Sequence, residues 1–229
     1  MENLIIVGIG ANARLALAFI KTHNLFNVIG FAVNDKYKDK DSFMGYPVYS
    51  LESLKTAITN IEYKVFVSLL WNHLNKDRRN LYEYCKEQGF VMANLVSPLS
   101  VVRSEIKGDN MWIQDHVVIQ NDTKLGSNIA IMQGALIGAD SEIESHCFFG
   151  AHSILAGGCF IGEQSFVGLH ATVFDDTRIG KKCIIGACTA VKRNMPDYSK
   201  YVTSSNDIVI KEYSENEIEN KLVFSLNKR

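Results

Sequence analysis

From Ile113 to Val191 every sixth residue is a large apolar side chain. The series is Ile113, Ile119, Leu125, Ile131, Ile137, Ile143, Phe149, Leu155, Ile161, Val167, Val173, Ile179, Ile185 and Val191, and the positions between are mostly small or polar. If roughly a third of positions were large and apolar, such a run would arise about once in several million trials. Leu125, Ile137, Phe149, Ile161, Val167, Ile179 and Ile185 are each followed by glycine. A period of six with this punctuation is the hexapeptide repeat of a parallel β-helix, in which three hexads, 18 residues, make one coil. Four to five coils are expected between Ile113 and Val191, with no inserted loop, because the phase never slips.

The residues before the repeat follow another pattern. Apolar runs at 4–10, 27–33, 64–70 and 90–96 read as strands. Stretches at 11–23, near Ser50–Ile58 and at 75–88 read as helices. Strands alternating with helices predict an α/β domain with a parallel sheet. Ser97-Pro98 marks a joint, since proline restricts the residue before it. The expected organisation is an α/β domain at 1–97, a β-helix at 98–203 and a C-terminal tail at 204–229. Within the tail, 207–213 reads as a strand and 215–224 as a short helix that caps the coil stack.

Composition narrows the chemistry. The chain has 229 residues and a formal net charge of -1, which gives no electrostatic reason to expect nucleic acid or an anionic membrane as partner. No apolar run approaches the roughly 18 residues of a spanning helix, and the N-terminus carries no secretion signal, so a cytoplasmic location is expected. The five cysteines contain no CxxC pair, and Cys147, Cys159 and Cys183 all stand two residues before a hexad anchor. Ala135, Ser141, Ser153, Ser165, Ala171, Thr177 and Thr189 share that phase, so these thiols are read as small corner side chains.

An α/β domain followed by an uninterrupted hexad array resembles the bacterial sugar acyltransferases of the sialic-acid O-acetyltransferase and bacillosamine N-acetyltransferase type. The resemblance spans about residues 1–203. It implies a left-handed parallel β-helix, a homotrimer, acetyl-CoA or another acyl-CoA as co-substrate in the cleft between neighbouring helices, and a nucleotide-linked sugar on the N-terminal domain. The implied reaction is acyl transfer to the amino group of a nucleotide-linked amino sugar in surface glycan synthesis. O-acetylation of a sialic-acid-like sugar and a non-catalytic trimeric scaffold are the alternatives.

Gly8-Ile9-Gly10-Ala11-Asn12-Ala13 follows a strand and opens a helix, the G-x-G-x-x-A turn that brings backbone close to a phosphate. Asp35 ends the second strand, where a dinucleotide fold places its ribose-binding acid. Three readings stay open: a nicotinamide dinucleotide, tight strand–helix packing alone, or a sugar nucleotide. The resemblance favours the last, with Gly8, Gly10 and Asn12 near the diphosphate and Asn34, Asp35 and Lys36 near the base or ribose.

In the N-acetyltransferase branch a histidine followed by an acid sits two residues after a hexad anchor and serves as base. That phase falls on Ala139-Asp140, so the acid is present and the histidine is absent. Four histidines share a different phase, three residues before an anchor: His116, His146, His152 and His170. Of these, His146 and His152 are the candidates to serve with Asp140, their side chains expected to point outward. Gly150 and Gly168 are candidate backbone donors to the thioester oxyanion, and Lys181, Lys192 and Arg193 to the phosphates of CoA. A zinc site of the γ-class carbonic anhydrase kind would need His116, His152 and a third histidine at 157. Position 157 is Gly157, so no metal is expected.

Overall fold

The computed structural model describes residues 1–202. The tail expected at 204–229, with its strand and helix, lies outside them. The chain opens with β1 (Asn3–Val7), α1 (Ala11–His23) and β2 (Asn27–Val33). A hairpin of β3 (Ser42–Phe43) and β4 (Tyr46–Ser50) follows, then α2 (Leu54–Ala57), β5 (Lys64–Val67) and α3 (Lys76–Glu87). The sheet order is β3-β4-β2-β1-β5, parallel apart from the β3–β4 hairpin. Sequence reading treats residues 36–49 as loop and misses this hairpin. Its turn needs φ of 53° at Met44 and 81° at Gly45, and only the glycine announces such a turn.

The second half is a left-handed parallel β-helix with three sheets. Pairing is offset by 18 residues throughout the hexad array, as in Ala130 with Phe148 and Leu136 with Ile154. The inward anchors form one continuous apolar core, from Ile113 to Val191. The stack extends beyond the array at both ends. Leu95–Val96 pairs with Trp112–Ile113, and Lys200–Tyr201 with Ile184–Ile185. These terminal coils step by 17 and 16 residues, so a ruler of six cannot see them. The segment 90–96 is therefore not a fourth strand of the α/β sheet. Met92 makes a single bridge to Val65, and the chain is already in the first coil by Leu95, before the joint expected at Ser97-Pro98.

Every corner of the helix turns on a residue three positions before an anchor. All fourteen have φ between 52° and 68°. This left-handed region is open to glycine and tolerated best by Asn, Asp and His. Thus the shared phase of His116, His146, His152 and His170 has a backbone cause, as does that of Asp122, Asp140 and Asp176. The phase two residues before an anchor is buried at each corner, as the small residues there predict.

The two halves are joined by a shared apolar cluster. Leu4, Ile6, Ala16, Ile20 and Phe66 of the α/β part pack with Trp112, Ala130, Met132 and Phe148 of the outer face of one helix sheet. The Trp112 ring meets Phe66 edge-on at 5.7 Å. Arg78 of α3, fully buried, donates from Nη2 to the carbonyls of His146 at 3.0 Å and Cys147 at 2.8 Å. Asn110, on the same edge, accepts the Val67 N–H at 2.8 Å and ties the joint to β5.

Candidate functional site

The carboxyl ends of β1, β2 and β5 open on a cleft of about 940 Å³. In an α/β sheet this end, where the strand order reverses, is where ligands bind. Gly8, Asn34, Asp35 and Lys36 all line it, together with Ile9, Tyr37, Glu52, Asn80 and Tyr84. Gly10 and Asn12 do not: Gly10 is the exposed N-cap of α1, and Asn12 lies in its first turn. Gly8 has φ of +121°, and a β-carbon there would come within 2.7 Å of Ser68 Oγ, so only glycine allows the chain this close to β5.

Glu52 organises the rim. Its carboxylate accepts from Asn34 Nδ2 at 3.0 Å and from the Asp35 N–H at 3.0 Å. Burial works against its ionisation, but these donors win and hold its pKa below the ordinary value. The Tyr84 phenol is shifted up, first by burial and then by the charges of Glu52, Cys85 and Asp35. Sequence reading missed Glu52, Asn80 and Tyr84. Asp77, Asn80, Leu81 and Tyr84 fall at helical spacing on one face of α3, a signal that becomes useful only once that face is known to look into the cleft.

The candidates on the β-helix separate onto different edges. His146 is 5% exposed and lies beneath α3, against the ring of Tyr82 at 5.6 Å. Its Nδ1 accepts from Asn128 Nδ2 at 2.8 Å, continuing a ladder that runs from Asn110. Burial, then the charge of Arg79, lowers its pKa to about 4. His146 thus points out of the coil as expected, but α3 covers this corner and shuts it from solvent. His152 is exposed on the next edge, stacked on His170 with ring centroids 5.2 Å apart. Asp140 is exposed on the third edge, beside Ala139. One helix does not bring these three side chains together.

Gly150 and Gly168 cannot be the expected donors. Their N–H groups are bonded to the carbonyls of Val167 and Ile185, both at 2.8 Å, in the ladder between coils. A β-carbon on Gly150 would meet Leu169 N at 2.4 Å, so this glycine serves coil packing. On the edge of Ala139, the Gly157 N–H instead donates outward, to Asp175 Oδ1 at 3.1 Å. Lys192 and Arg193 stand on that same edge, three coils beyond Ala139, with the Lys192 ammonium 5.3 Å from the ring of Phe174. Lys181 is on the edge of His146 and pairs with Asp197 at 3.7 Å.

No family model and no curated protein matches the chain by sequence. Solved structures do. A His-to-Asn variant of perosamine N-acetyltransferase from Caulobacter crescentus, in complex with CoA and GDP-perosamine, superposes with a TM-score of 0.77 at 25% identity, over 87% of this chain and 93% of that one. PerB from the same organism, with the same two ligands, gives 0.75 at 26% identity, over 86% and 92%. The structural neighbours bear out the resemblance. The acetyltransferase domain of PglB from Neisseria gonorrhoeae, in complex with acetyl coenzyme A, shares the fold, with a TM-score of 0.74 at 19% identity over 87% and 95%. Among the described residues no helix is long and apolar enough to cross a membrane.

Proposed function

We propose that this chain is an acyl-CoA-dependent sugar N-acyltransferase, moving an acyl group, acetyl in the first instance, to the amino group of a nucleotide-linked amino sugar for surface glycan synthesis. The observation that carries this reading is the likeness, over 87% of the chain, to an N-acetyltransferase solved with CoA and an amino-sugar nucleotide. The cleft at the carboxyl ends of β1, β2 and β5 supports it, with Gly8 for the diphosphate and Asn34, Asp35 and Lys36 for the nucleoside. Lys192 and Arg193 on the edge of Ala139 suit the phosphates of CoA.

In this reaction the amine nitrogen bonds to the thioester carbonyl carbon, the carbon–sulfur bond breaks, and the nitrogen loses a proton while the thiolate gains one. Alignment of amine and thioester supplies much of the acceleration, and a backbone N–H steadies the oxyanion. Gly157 has the outward N–H at this edge, and Asp175 must release it. With alanine at 139, the proton of the amine passes to solvent or to the departing thiolate. An amine tolerates this better than a hydroxyl does, which favours N- over O-acylation.

We also propose a homotrimer. Asp140 and His152 occupy different edges of one helix, so a neighbouring copy is needed to bring such edges together. The sheet between them presents an apolar outer row of Val101, Val118, Leu136 and Ile154, with Val101 46% and Ile154 43% exposed. Acyl-CoA and sugar nucleotides as substrates support a cytoplasmic reaction. The test is thiol release from acetyl-CoA with a panel of nucleotide-linked amino sugars. Turnover with at least one acceptor is expected, and none across the panel leaves the non-catalytic scaffold.

A further inference from the structure

The chain has two tryptophans, and they are used oppositely. Trp112 is buried in the joint between the halves, whereas Trp71 leaves 48% of its surface in solvent. Trp71 stands on the segment between β5 and α3, and both ends of that segment line the cleft, Leu69 before it and Asp77 after it. Between those ends the segment reaches the β-helix. The indole meets Phe148 edge-on at 5.1 Å, and Phe148 is stacked on Phe166 at 5.1 Å.

The segment is held in a conformation the chain would not choose. His73, Leu74 and Asn75 have φ of 48°, 54° and 64°, three left-handed residues in succession without a glycine. Such a run persists only where its surroundings over-determine it. Here Gln164 Nε2 donates to the Leu74 carbonyl at 2.9 Å, Asn75 Nδ2 to the Ser165 carbonyl at 3.2 Å, and the Asn75 N–H to the Trp71 carbonyl at 3.1 Å. His73 Nδ1 lies 2.8 Å from Asp77 Oδ2. The result is a fixed aromatic surface, backed by Phe148 and Phe166, on a segment that leaves the cleft at Leu69 and touches the β-helix.

We propose that Trp71 is the platform on which the sugar ring of the nucleotide-linked substrate rests. This rests on the acyltransferase reading above. A hexopyranose has a face made largely of C–H groups, and an indole covers such a face while excluding water. The geometry gives the direction. Ser68, the first residue after β5, donates to the Val7 carbonyl at 2.9 Å, so the glycine turn and the Trp71 segment begin side by side. A diphosphate at that turn sends its sugar along the segment towards the β-helix, where the thioester must arrive.

The test is calorimetric titration of the full chain with GDP, with UDP, and with a 4-amino hexose linked to each. Trp71→Ala should weaken the sugar-linked ligand about tenfold and leave the bare diphosphate unchanged, while Trp71→Phe retains most of the affinity. Equal weakening of both ligands, or of neither, overturns the platform. A changed oligomeric state in Trp71→Ala also overturns it, since the indole would then be covered by another copy. If Trp71→Ala does not fold, tryptophan emission of the unmodified chain decides: it should shift with the sugar-linked ligand and not with the bare diphosphate, and no difference counts against the platform. A chain that binds none of the four ligands refutes the cleft reading itself, a result distinct from failure at Trp71.

Discussion

Asn128 donates from Nδ2 to Nδ1 of His146 across 2.8 Å, inside a ladder buried between α3 and the β-helix. The bond makes Nδ1 an acceptor and so leaves the imidazole neutral, with its proton on Nε2. The folded pKa, about 4, lies below the ordinary 6.5. Between these values the unfolded chain binds the proton and the folded chain refuses it. The stabilisation is therefore complete above about pH 6.5, falls as pH falls, and levels off below about pH 4. By pH 4 the loss should be roughly 3 kcal/mol. Urea unfolding of the native chain and of His146→Asn at pH 7 and pH 4.5 checks it. Asparagine suits the left-handed corner and continues the ladder, so the variant should remain within about 1 kcal/mol of the native chain at pH 7. It should also lose that part of the pH dependence and retain turnover. Loss of turnover would return His146 to the chemistry.

Arg78 should matter to the joint more than any surface charge. Its guanidinium is buried without a carboxylate, and desolvation lowers its pKa to about 10. Replacing it by Met removes two charge-assisted bonds to the carbonyls of His146 and Cys147. Those carbonyls would be left without these donors, and a loss of about 2–4 kcal/mol is expected by denaturant unfolding.

Glu52 should govern nucleotide affinity through its hold on Asn34 and Asp35. Glu52→Ala frees both Asn34 and Asp35, so nucleoside diphosphate binding should weaken by about tenfold while the melting temperature moves little. Because Glu52 is exposed, a large fall in stability would show that it supports the fold instead.

Ala139→His offers a gain of function. If the amine and thioester meet at this edge, an imidazole there should raise kcat by up to about 10²-fold. It should also introduce an acid limb near the histidine pKa of about 6.5 in the pH profile. An unchanged rate and profile would move the reaction away from this edge.

The repeat was legible because each hexad repeats one local decision, anchor inward and left-handed residue at the corner. Leu95 escaped because the first coil steps by 17 and not 18. The cleft residues Gly8, Asn34, Asp35 and Lys36 could be read from their place at strand ends. Glu52 and Tyr84 could not, since a carboxylate or phenol on an amphipathic element looks the same wherever it points. The histidines misled for a physical reason. Their common phase reports the backbone angle at a corner, and whether a corner faces solvent or α3 is a fact of the packing between the halves.

Acyl transfer from CoA to a sugar amine leaves a product of defined chemistry. Incubation with acetyl-CoA and nucleotide-linked 4-amino hexoses, followed by mass spectrometry before and after hydroxylamine, tests it most directly. One acetyl group should be gained per free CoA thiol released, on a product that hydroxylamine leaves intact, as an amide is. An acetyl group that hydroxylamine removes would show an ester and O-acylation, and no acetylated product from any acceptor would rule out acyl transfer to these sugars.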